Sequence, residues 1–490
     1  MSSAAVDQDK PIRSLIPERM DKMPWSRFHW MVIFGLGTAW ILDGLEIQIV
    51  ANAGFAETFG MSSGQVGMTA TIYLIGEVVG ALVFGRLTDT MGRKKMFVTT
   101  LAVYLIGSAA AAFAPNTYIF WILRFIAGMG IGGEYSAINS AIDELIPGKF
   151  RGRVDLAING TYWFGAMLGA LVSNYMLAEG RFAQDMGWRL AFLVGPILGL
   201  SIIYLRRHIP ESPRWLVTHG RGEEAERIVV GIEEEVQAQG KQLPQHDEAD
   251  AMWIKAREGL NPKQLAWVFF KLYPTRTFLG LTLMITQSFL YNAIFFTSAM
   301  VLTKFHGKTA SEAALYFFAF AAGNLMGPLL LGHFFDTVGR RKMIGGSYSL
   351  AALILLVSAW MFNQDMLTAT THTLLWCASF FFASAGASAG YLTVSEIFPL
   401  EVRGQAISYF FAVAQTVGAF GPAIFGWLVG DGSDRGPLFI GYVAASLIML
   451  FGGLVAFKFG VDAEGKSLEE IAPPLSSYDE QGNETLHIPV

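Results

Sequence analysis

Apolar runs of spanning length recur along this 490-residue chain, and they constrain its fold more than any other feature. A helix that crosses about 30 Å of hydrocarbon needs about 20 apolar residues, because each residue adds about 1.5 Å. With 53% hydrophobic and only 15% charged residues, and a mean hydropathy of +0.42, the chain suits lipid better than water. The runs lie near 27–50, 66–87, 96–115, 117–142, 154–178, 187–206, 276–301, 312–335, 343–362, 369–395, 404–429 and 436–459.

Two groups of six runs predict an all-α membrane protein with twelve transmembrane helices. The central loop between the groups is too short and too polar to form a catalytic domain, and its segment from Arg221 to Val236 has the charge pattern of an amphipathic helix. The predicted parts are an N-terminal tail (1–26), a first six-helix bundle (27–206), the central loop (207–275), a second six-helix bundle (276–459) and a C-terminal tail (460–490).

The distribution of Lys and Arg predicts which side of the membrane each loop faces. An even number of spans places both tails and the central loop on one side. Of the 35 basic residues, Arg124 lies within a span, and all but five of the others lie on that side. By the positive-inside rule, we expect a multi-pass protein of the inner or plasma membrane with both termini in the cytoplasm. The five exceptions are Arg181, Arg189, Lys304, Lys308 and Arg435.

Two motifs occur twice, once in each half of the chain. The segment Gly85-Arg-Leu-Thr-Asp-Thr-Met-Gly-Arg-Lys-Lys-Met96 returns 247 residues later as Gly332-His-Phe-Phe-Asp-Thr-Val-Gly-Arg-Arg-Lys-Met343, with seven of twelve positions identical. The segment Glu144-Leu-Ile-Pro-Gly-Lys-Phe-Arg-Gly152 returns 252 residues later as Glu396-Ile-Phe-Pro-Leu-Glu-Val-Arg-Gly404. Because each match follows the same span of its half, the chain is a duplicated six-helix unit.

These motifs carry a family resemblance. The pattern Gly-x-x-x-Asp-x-x-Gly-Arg with a following basic residue, between spans 2 and 3 and again between spans 8 and 9, resembles the signature loop of the major facilitator superfamily. The segments Pro210–Leu216 and Gly465–Glu469 are similar to its sugar-porter-like branch, although Thr90 stands where the family often has Arg or Lys. The resemblance implies two pseudo-symmetric bundles that move a small polar solute by alternating access.

Motifs in and before the first span indicate which members of the superfamily the chain resembles most. Pro24-Trp-Ser-Arg-Phe-His-Trp30 and Asp43-Gly-Leu-Glu46 look like the metabolite:proton and aromatic-acid:proton symporters, which carry Asp-Gly-x-Asp in span 1. Glu46 replaces the second Asp and keeps its charge. Similarity to true sugar transporters is weaker, because span 7 lacks a Gln-Gln pair and span 10 lacks a Gly-Pro-x-Pro-Trp run.

Charged residues inside spans are functional candidates, because each costs about 2.5–3.5 kcal/mol on insertion scales. Asp43 and Glu46 are three residues apart on one helical face, and Arg124 in span 4 lies at a similar depth. We expect Asp43 and Glu46 to couple proton movement, with Glu134 as a relay or gate nearer the cytoplasm, and Arg124 to bind solute or release a carboxylate. The alternative is a permanent structural salt bridge. The sequence leaves the role of Glu77 in span 2 open.

The second half carries no deep charge in its spans but offers amide and phenol groups for hydrogen bonding. Such groups, with Phe295 beside them, suit recognition of an uncharged or flat moiety, although each aromatic could serve packing alone. Besides Arg124, the candidate solute-binding residues are Gln287, Tyr291, Asn292, Asn324, Tyr391 and Gln415.

The repeated loops suggest a charge network that closes the cytoplasmic face in one state and breaks in the other. In the resembled family, the loop Asp also faces the start of span 11. The alternative is that the basic residues serve only positive-inside insertion. The candidate gating residues are Gly85, Asp89, Gly92, Arg93, Glu144, Arg151, Arg214, Asp336, Arg340, Glu396 and Arg403.

These features favour proton-coupled symport of a small organic acid or related aromatic metabolite. A proton-coupled sugar or polyol porter, a metabolite or drug exporter, and a transporter-like nutrient sensor are the alternatives. We expect no enzyme, because no paired nucleophile and base, metal cluster or phosphate loop is evident. The only cysteine, Cys377, excludes a disulfide. We expect no cofactor beyond a proton gradient, and a monomer whose partners are the solute, protons and the lipid bilayer, not nucleic acid.

Overall fold

The computed structural model describes residues 12–51, 55–61, 63–176, 182–183, 185–206, 209–245, 251–254, 260–308, 310–430, 432–475 and 477–478. Helices dominate the first half of the chain. They are α1 (Ile16–Asp21), α2 (Arg27–Ala51), α3 (Phe55–Phe59), α4 (Ser63–Met91), α5 (Arg93–Ala111), α6 (Thr117–Leu145), α7 (Gly148–Met176) and α8 (Met186–Arg206).

Short helices of the central loop precede the second set of long helices. The helix over Pro262–Trp267 continues into a π-helical turn over Val268–Leu272. The remaining helices are α9 (Pro213–Thr218), α10 (Gly222–Ala238), α11 (Pro262–Trp267), α12 (Pro274–His306), α13 (Ala310–Thr337), α14 (Arg340–Asn363), α15 (Ala369–Glu396), α16 (Arg403–Gly418), α17 (Phe420–Val429), α18 (Gly436–Phe459) and α19 (Leu468–Ile471).

The long helices form the predicted twelve-helix fold. The first bundle contains α2 and α4–α8, and the second contains α12–α15, the pair α16 and α17, and α18. Within the described residues, eight helices are long and apolar enough to span a membrane by length and composition alone. The helix α6 falls outside that set because Arg124 and Glu134 interrupt its apolar run.

One predicted span is not a single helix. The run near 404–429 divides at Ala419 into α16 and α17. Pro422 has no N–H, so the carbonyl of Gly418 lacks the donor that a continuous helix would place four residues later. Gly418 lies against α12, where an added Cβ would come within 2.2 Å of Ser288 Oγ and 2.4 Å of Asn292 Nδ2. The break therefore lies beside the polar residues of span 7.

Glycines allow the helices of the first bundle to approach closely. A Cβ on Gly132 of α6 would come within 1.9 Å of the Glu77 carbonyl oxygen on α4, and one on Gly44 of α2 within 1.9 Å of the Tyr162 carbonyl oxygen on α7. Side chains at these positions would separate the helices. Between the bundles, the helices that pack most closely are α4 with α16 and α7 with α13, which are equivalent pairs in the duplicated unit.

The helices α1, α9, α10 and α19, with the loops that follow α4, α6, α13 and α15, form one side of the molecule, here called the terminal face. The predicted amphipathic helix is α10, which buries Ala225, Val229, Ile232 and Val236. Three short strands, which were not predicted, pair antiparallel in the order β1 (Ile12–Ser14), β2 (Met252–Ile254), β3 (Ser477–Tyr478). They join the N-terminal segment, the central loop and the C-terminal segment.

The hydrophobic cores of the two bundles differ. The core of the second bundle is continuous and takes in Leu156, Trp163 and Ala166 of α7. The core of the first bundle is divided into three clusters, at the terminal face, in the middle and at the opposite end. Buried charged side chains on α2, α4 and α6 interrupt the apolar packing of this bundle: Asp43, Glu46, Glu77, Arg124 and Glu134.

Candidate functional site

An ion pair lies inside the first bundle, between α2 and α6. The Arg124 guanidinium donates to Glu46 Oε1, and both side chains are at most 2% exposed. Ser108 of α5 donates to the same oxygen at 2.5 Å. The Arg124 guanidinium also lies 4.3 Å from the centre of the Tyr73 ring. Arg124 was expected to bind solute or to release a carboxylate, and in this conformation it pairs with Glu46 of its own bundle.

Asp43 lies one helical turn from Glu46 and is held by phenols. Tyr73 of α4 donates to Oδ1 at 3.3 Å, and Tyr135 of α6 donates to Oδ2 at 3.1 Å. Within the described part of the chain, Asp43 forms no ion pair with Lys or Arg, although it is only 2% exposed. Its carboxylate therefore has hydrogen-bond donors but no neutralising cation.

A small cavity, about large enough for one water molecule, borders Asp43. Glu134 lines the same cavity, together with Trp40 and Tyr135. Glu134 was expected to lie nearer the cytoplasm and to act as a relay or gate. The approach of α2 to α6 brings the two acidic residues to one cavity, which a count of residues along separate helices could not reveal.

Glu77 lies where the two bundles meet. Gln415 of α16 donates its Nε2 to Glu77 Oε2 at 3.4 Å. On the other side, Ser288 of α12 donates to Gln415 Oε1 at 3.1 Å, and Asn292 donates to Ser288 Oγ at 3.3 Å. A chain of hydrogen bonds thus links Glu77 of the first bundle to the second bundle. Gln415 and Asn292 in this chain are expected solute-binding residues, and Ser288 lies between them.

Aromatic side chains from both bundles surround this polar chain. Tyr135 stacks on Phe411 of α16, with ring centres 4.6 Å apart, and lies 6.0 Å from Tyr391 of α15. Trp163 of α7 lies 5.9 Å from Tyr291 and 5.6 Å from Phe295, both on α12. Flat rings therefore meet across the bundle interface on both sides of the site.

The remaining candidate solute-binding residues lie in the second bundle. Tyr291 donates to Asn324 Oδ1 at 2.9 Å, and Asn324 in turn donates to the Phe320 carbonyl at 2.9 Å. Gln287 lies within hydrogen-bonding reach of Tyr391. The structure brings these second-bundle candidates together at one interface and leaves Arg124 apart from them.

The two bundles are joined at the terminal face by two equivalent contacts. Asp89 accepts from the backbone N–H groups of Gly404 and Gln405, at 3.1 and 2.9 Å, at the start of α16. Asp336 accepts from Gly152 and Arg153, at 3.0 and 2.8 Å, in the second turn of α7. The position of Asp89 is favoured by the unpaired N–H groups and the dipole at the N-terminus of α16.

Buried ion pairs extend each contact. Arg93 donates to Glu144 at 2.8 Å, and Arg403 reaches the same carboxylate from the second bundle at 3.5 Å. In the equivalent set, Arg340 donates to Glu396 at 3.0 Å, and Arg151 reaches it from the first bundle at 3.6 Å. The bundles are therefore held together at this face by paired, buried charges. If the face opened, water would have to take the place of the lost ion-pair partners.

Comparison with known proteins identifies the family. The family model described as "Sugar (and other) transporter" matches residues 37–474. The chain belongs to this family, within the major facilitator superfamily. The transporter is 25% identical over 458 residues to the "Niacin transporter NiaP" of Acinetobacter baylyi, covering 92% of this chain and 98% of the relative. It is 24% identical over 482 residues to the "Benzoate transport protein" of the same organism, covering 95% and 96%.

The fold has counterparts among solved structures. The proton:xylose symporter XylE bound to 6-bromo-6-deoxy-D-glucose superposes with a TM-score of 0.74 at 21% identity, covering 91% of this chain and 98% of that structure. As a member of the transporter family, the chain is a multi-pass membrane protein for small-molecule solutes, not an enzyme. The predicted fold class and family resemblance are confirmed.

Two turns of the transporter depend on glycine. Gly92 and Gly339 have φ values of +95° and +110°, which side chains rarely adopt. Each allows a glutamate to approach the following helix: Glu211 accepts from the N–H of Arg93 at 2.8 Å, and Glu464 from the N–H of Arg340 at 3.3 Å. Burial raises the pKa of the Glu211 carboxyl, whereas its backbone donors lower it.

Arg214 connects α1, near the N-terminus of the chain, with α19, near its C-terminus. It pairs with Asp21 of α1 at 2.7 Å and with Glu469 of α19 at 2.5 Å, and its side chain is 1% exposed. Burial opposes its charge, but Asp21 and Glu469 raise the pKa of Arg214 above its ordinary value. Asp21 also pairs with Arg151 at 2.8 Å. The helix α1 is therefore part of the network.

A substitution at Gly85 is expected to open the terminal face. A Cβ at Gly85 of α4 would come within 1.8 Å of Ser408 Oγ and 2.4 Å of Ser408 Cβ on α16, so the two bundles must separate. In a Cys377→Ser background, Gly85→Ala should speed maleimide labelling of a Gln405→Cys variant by about tenfold, a shift of about 1.4 kcal/mol. Gly346→Ala is the control, because no atom lies within 4 Å of its added Cβ. Equal labelling rates in the two variants would contradict the closed contact.

Sequence reasoning missed several residues of these sites. Asp143 and Asp155 are fully buried at the terminal face, where Asp143 lies 4.0 Å from Arg151 and Asp155 accepts from Asn159 at 3.0 Å. Both lie beside or within apolar runs, so their charge could have identified them as candidate site residues. The aromatic residues at the interface could not be identified in this way, because the sequence around them contains many other apolar residues. The others that were missed as site residues are Asp21, Tyr73, Ser108, Tyr135, Trp163, Phe411, Glu211, Glu464 and Glu469.

Proposed function

We propose that this transporter imports a small aromatic carboxylic acid together with a proton, by alternating access across the plasma membrane. The observation that carries the proposal is the stacking of Tyr135 of the first bundle on Phe411 of the second beside Asp43, a buried carboxylate that two phenols hold and that pairs with no Lys or Arg among the described residues. The names of two relatives, a niacin transporter and a benzoate transport protein, support a solute of this class.

Proton coupling is assigned to Asp43 rather than shared equally with Glu46. Arg124 neutralises Glu46 within the bundle, so Glu46 can remain charged throughout the cycle. Among the described residues, Asp43 has only the hydroxyls of Tyr73 and Tyr135 as partners, and a neutral acid costs less than an unpaired charge in a low-dielectric site. Glu134, on the same small cavity, provides a relay position for the proton.

The solute is assigned to the interface between Trp163 and Tyr135 of the first bundle and Tyr291 and Tyr391 of the second. Aromatic rings attract each other, stacked or edge to face, when their centres are about 4.5–7 Å apart. The side chains at this interface could therefore bind the aromatic ring of a solute in either arrangement. The amides of Gln415 and Asn292 supply donors for a carboxylate.

The terminal face is assigned to the cytoplasm, in keeping with its Lys and Arg content. The contacts of Asp89 and Asp336, with their ion pairs, then close the cytoplasmic side in this conformation. Solute and proton would enter from outside and leave when these contacts break. The energy source is the proton gradient, and no cofactor takes part.

A proton-coupled sugar or polyol porter is the second candidate. The amide groups of Gln287, Asn292 and Gln415 lie together on the second bundle, and amides suit hydroxyl groups. The structural neighbour XylE is a proton:xylose symporter, which supports a sugar as the solute. A sugar would use these amides but would need fewer of the aromatic rings.

Thermal unfolding of the purified transporter separates these candidates. We expect benzoate or nicotinate to stabilise it by about 2.7 kcal/mol at a concentration of 100 times Kd, and glucose, xylose and an organic cation to have no effect. Trp163→Ala should abolish the stabilisation. Trp427→Ala, whose side chain is 81% exposed, is the matched control and should retain it. Stabilisation by a sugar alone would overturn the proposal.

A further inference from the structure

The second bundle has an open groove at the end opposite the terminal face, near the beginning of α13 and α15. Its volume is about 340 Å³, and the exposed side chains of Leu315 on α13 and Leu374 on α15 form its walls. Farther along, Gly327 brings the two helices together, since a Cβ there would come within 2.0 Å of the Phe381 carbonyl oxygen. Leu315 lies within the apolar span, nearly opposite Phe320, which faces the other bundle. The groove therefore opens toward the lipid.

The base of the groove contains a hydroxyl group without a partner. Thr373 lines the groove and is only 4% exposed, and its Oγ1 has no hydrogen-bond partner within the described residues. The nearby Thr370 differs, because its Oγ1 lies 3.4 Å from Tyr316 Oη. A buried hydroxyl without a hydrogen bond is unfavourable, so the groove favours a ligand that brings an acceptor to Thr373.

The equivalent position of the first bundle is filled by the protein itself. The offsets of 247 and 252 residues between the repeated motifs also relate the first residues of α4 and α13, and of α6 and α15. By these offsets, Thr373 corresponds to Trp121, and Tyr316 corresponds to Thr69. Trp121 Nε1 donates to Thr69 Oγ1 at 2.9 Å, so the indole bridges the gap between α4 and α6. With Thr in place of Trp, the gap between α13 and α15 stays open.

Two opposite charges lie at the mouth of the groove. Lys308, just before α13, lies 3.5 Å from Glu312 in its first turn, and both side chains are partly exposed. Glu312 also lines the groove, and Lys308 Nζ lies 6.0 Å from the centre of the Tyr316 ring. This arrangement suits a headgroup that carries a phosphate and an ammonium. A quaternary ammonium has no N–H to donate to Glu312, and an anionic headgroup would place a second negative charge beside it.

We propose that this groove binds a glycerophospholipid with a primary-ammonium headgroup, from the leaflet opposite the terminal face. One acyl chain lies between Leu315 and Leu374, and Thr373 donates its hydroxyl hydrogen to an ester carbonyl of the lipid. The lipid phosphate pairs with Lys308, and the ammonium pairs with Glu312. All of these contacts are non-covalent. Because none of them involves the aromatic interface, the inference goes beyond the proposed function and holds for any solute.

Photocrosslinking in nanodiscs tests the proposal. The transporter is reconstituted in phosphatidylcholine that contains a trace of a probe lipid, either phosphatidylethanolamine or phosphatidylcholine, with a diazirine in its acyl chain. After irradiation and digestion, mass spectrometry should locate lipid adducts on residues 312–319 and 370–374. We expect the ethanolamine probe to give about five times as many of these adducts as the choline probe, the gain from one partly exposed ion pair. Elsewhere on the lipid-exposed surface, the two probes should give equal yields.

Two variants test the acyl-chain and headgroup contacts separately. Thr373→Trp places in the second bundle the side chain that fills the gap in the first, and it should reduce the groove adducts to the level of the surrounding surface. Leu353→Trp is the matched control, because it adds the same indole to an exposed apolar position of α14, and it should keep the wild-type yield. Glu312→Gln changes only an exposed side chain and should give equal groove adducts from the two probes.

Three results would overturn the proposal: no preference for the ethanolamine probe in the wild type, groove adducts that persist in Thr373→Trp, or a preference that persists in Glu312→Gln. A groove occupied by a choline lipid or by residual detergent would give the first of these results. Since no solute is present in the experiment, each of these results would leave the proposed function intact.

Discussion

The Asp43→Asn variant should lose proton-driven uptake of benzoate, so that its rate falls to that of vesicles without the transporter. Asn has nearly the shape of Asp; its Oδ1 can accept from one of the two phenols, Tyr73 or Tyr135, and its Nδ2 can donate to the other, so the fold should persist. It cannot bind and release a proton in the physiological range. Exchange of benzoate across the membrane in the absence of a gradient should therefore continue, because the bundles can still rock with solute bound.

Uptake and exchange assays in vesicles, at equal protein levels, check this expectation. Asp365→Asn is the matched control, since Asp365 is 74% exposed and pairs only at the surface with Arg435. Wild-type uptake in Asp43→Asn would refute its coupling role. Loss of both uptake and exchange would assign Asp43 to the conformational change itself.

The fold was accessible from the sequence because two strong physical signals agreed. Spanning runs fixed the number of helices, and the repeated loops showed that the second half copies the first. The division of span 11 at Ala419 was missed, because a run of apolar residues does not show which carbonyl lacks a donor. The three-stranded sheet was missed because its strands are two or three residues long and widely separated in sequence.

The site was only partly accessible, for a different reason. The candidates were found by their charge or polarity, but pairing depends on how helices rotate about their axes. Asp43 and Glu46 share a helical face, yet one is bound by phenols and the other by Arg124. Aromatic residues such as Trp163 and Phe411 could not be predicted as site residues from the sequence. Their position at the bundle interface follows from the packing of α7 on α13 and of α4 on α16.

The surroundings of Glu77 show that tertiary structure decides which polar groups become neighbours. From sequence it was one acidic residue in span 2 of unknown face. Close approach of α4 to α6 at Gly132 directs that face, and Gln415 then meets Glu77 across the interface. A carboxylate of one bundle and an amide of the other become neighbours only when both bundles are assembled.

The Arg124→Ala variant should be destabilised by about 3–5 kcal/mol, because it leaves Glu46 charged, buried and without its partner. It also removes the guanidinium that lies 4.3 Å from the Tyr73 ring. Unfolding in mixed detergent micelles should show the loss, and the double variant Glu46→Gln with Arg124→Gln should recover most of it. Arg435→Ala, which breaks a pair with the exposed Asp365, should cost only about 0–1 kcal/mol. If Arg124 instead bound the solute directly, Arg124→Ala would keep its stability and lose benzoate binding. The enclosed position of the Arg124–Glu46 pair, away from the aromatic interface, favours the structural outcome.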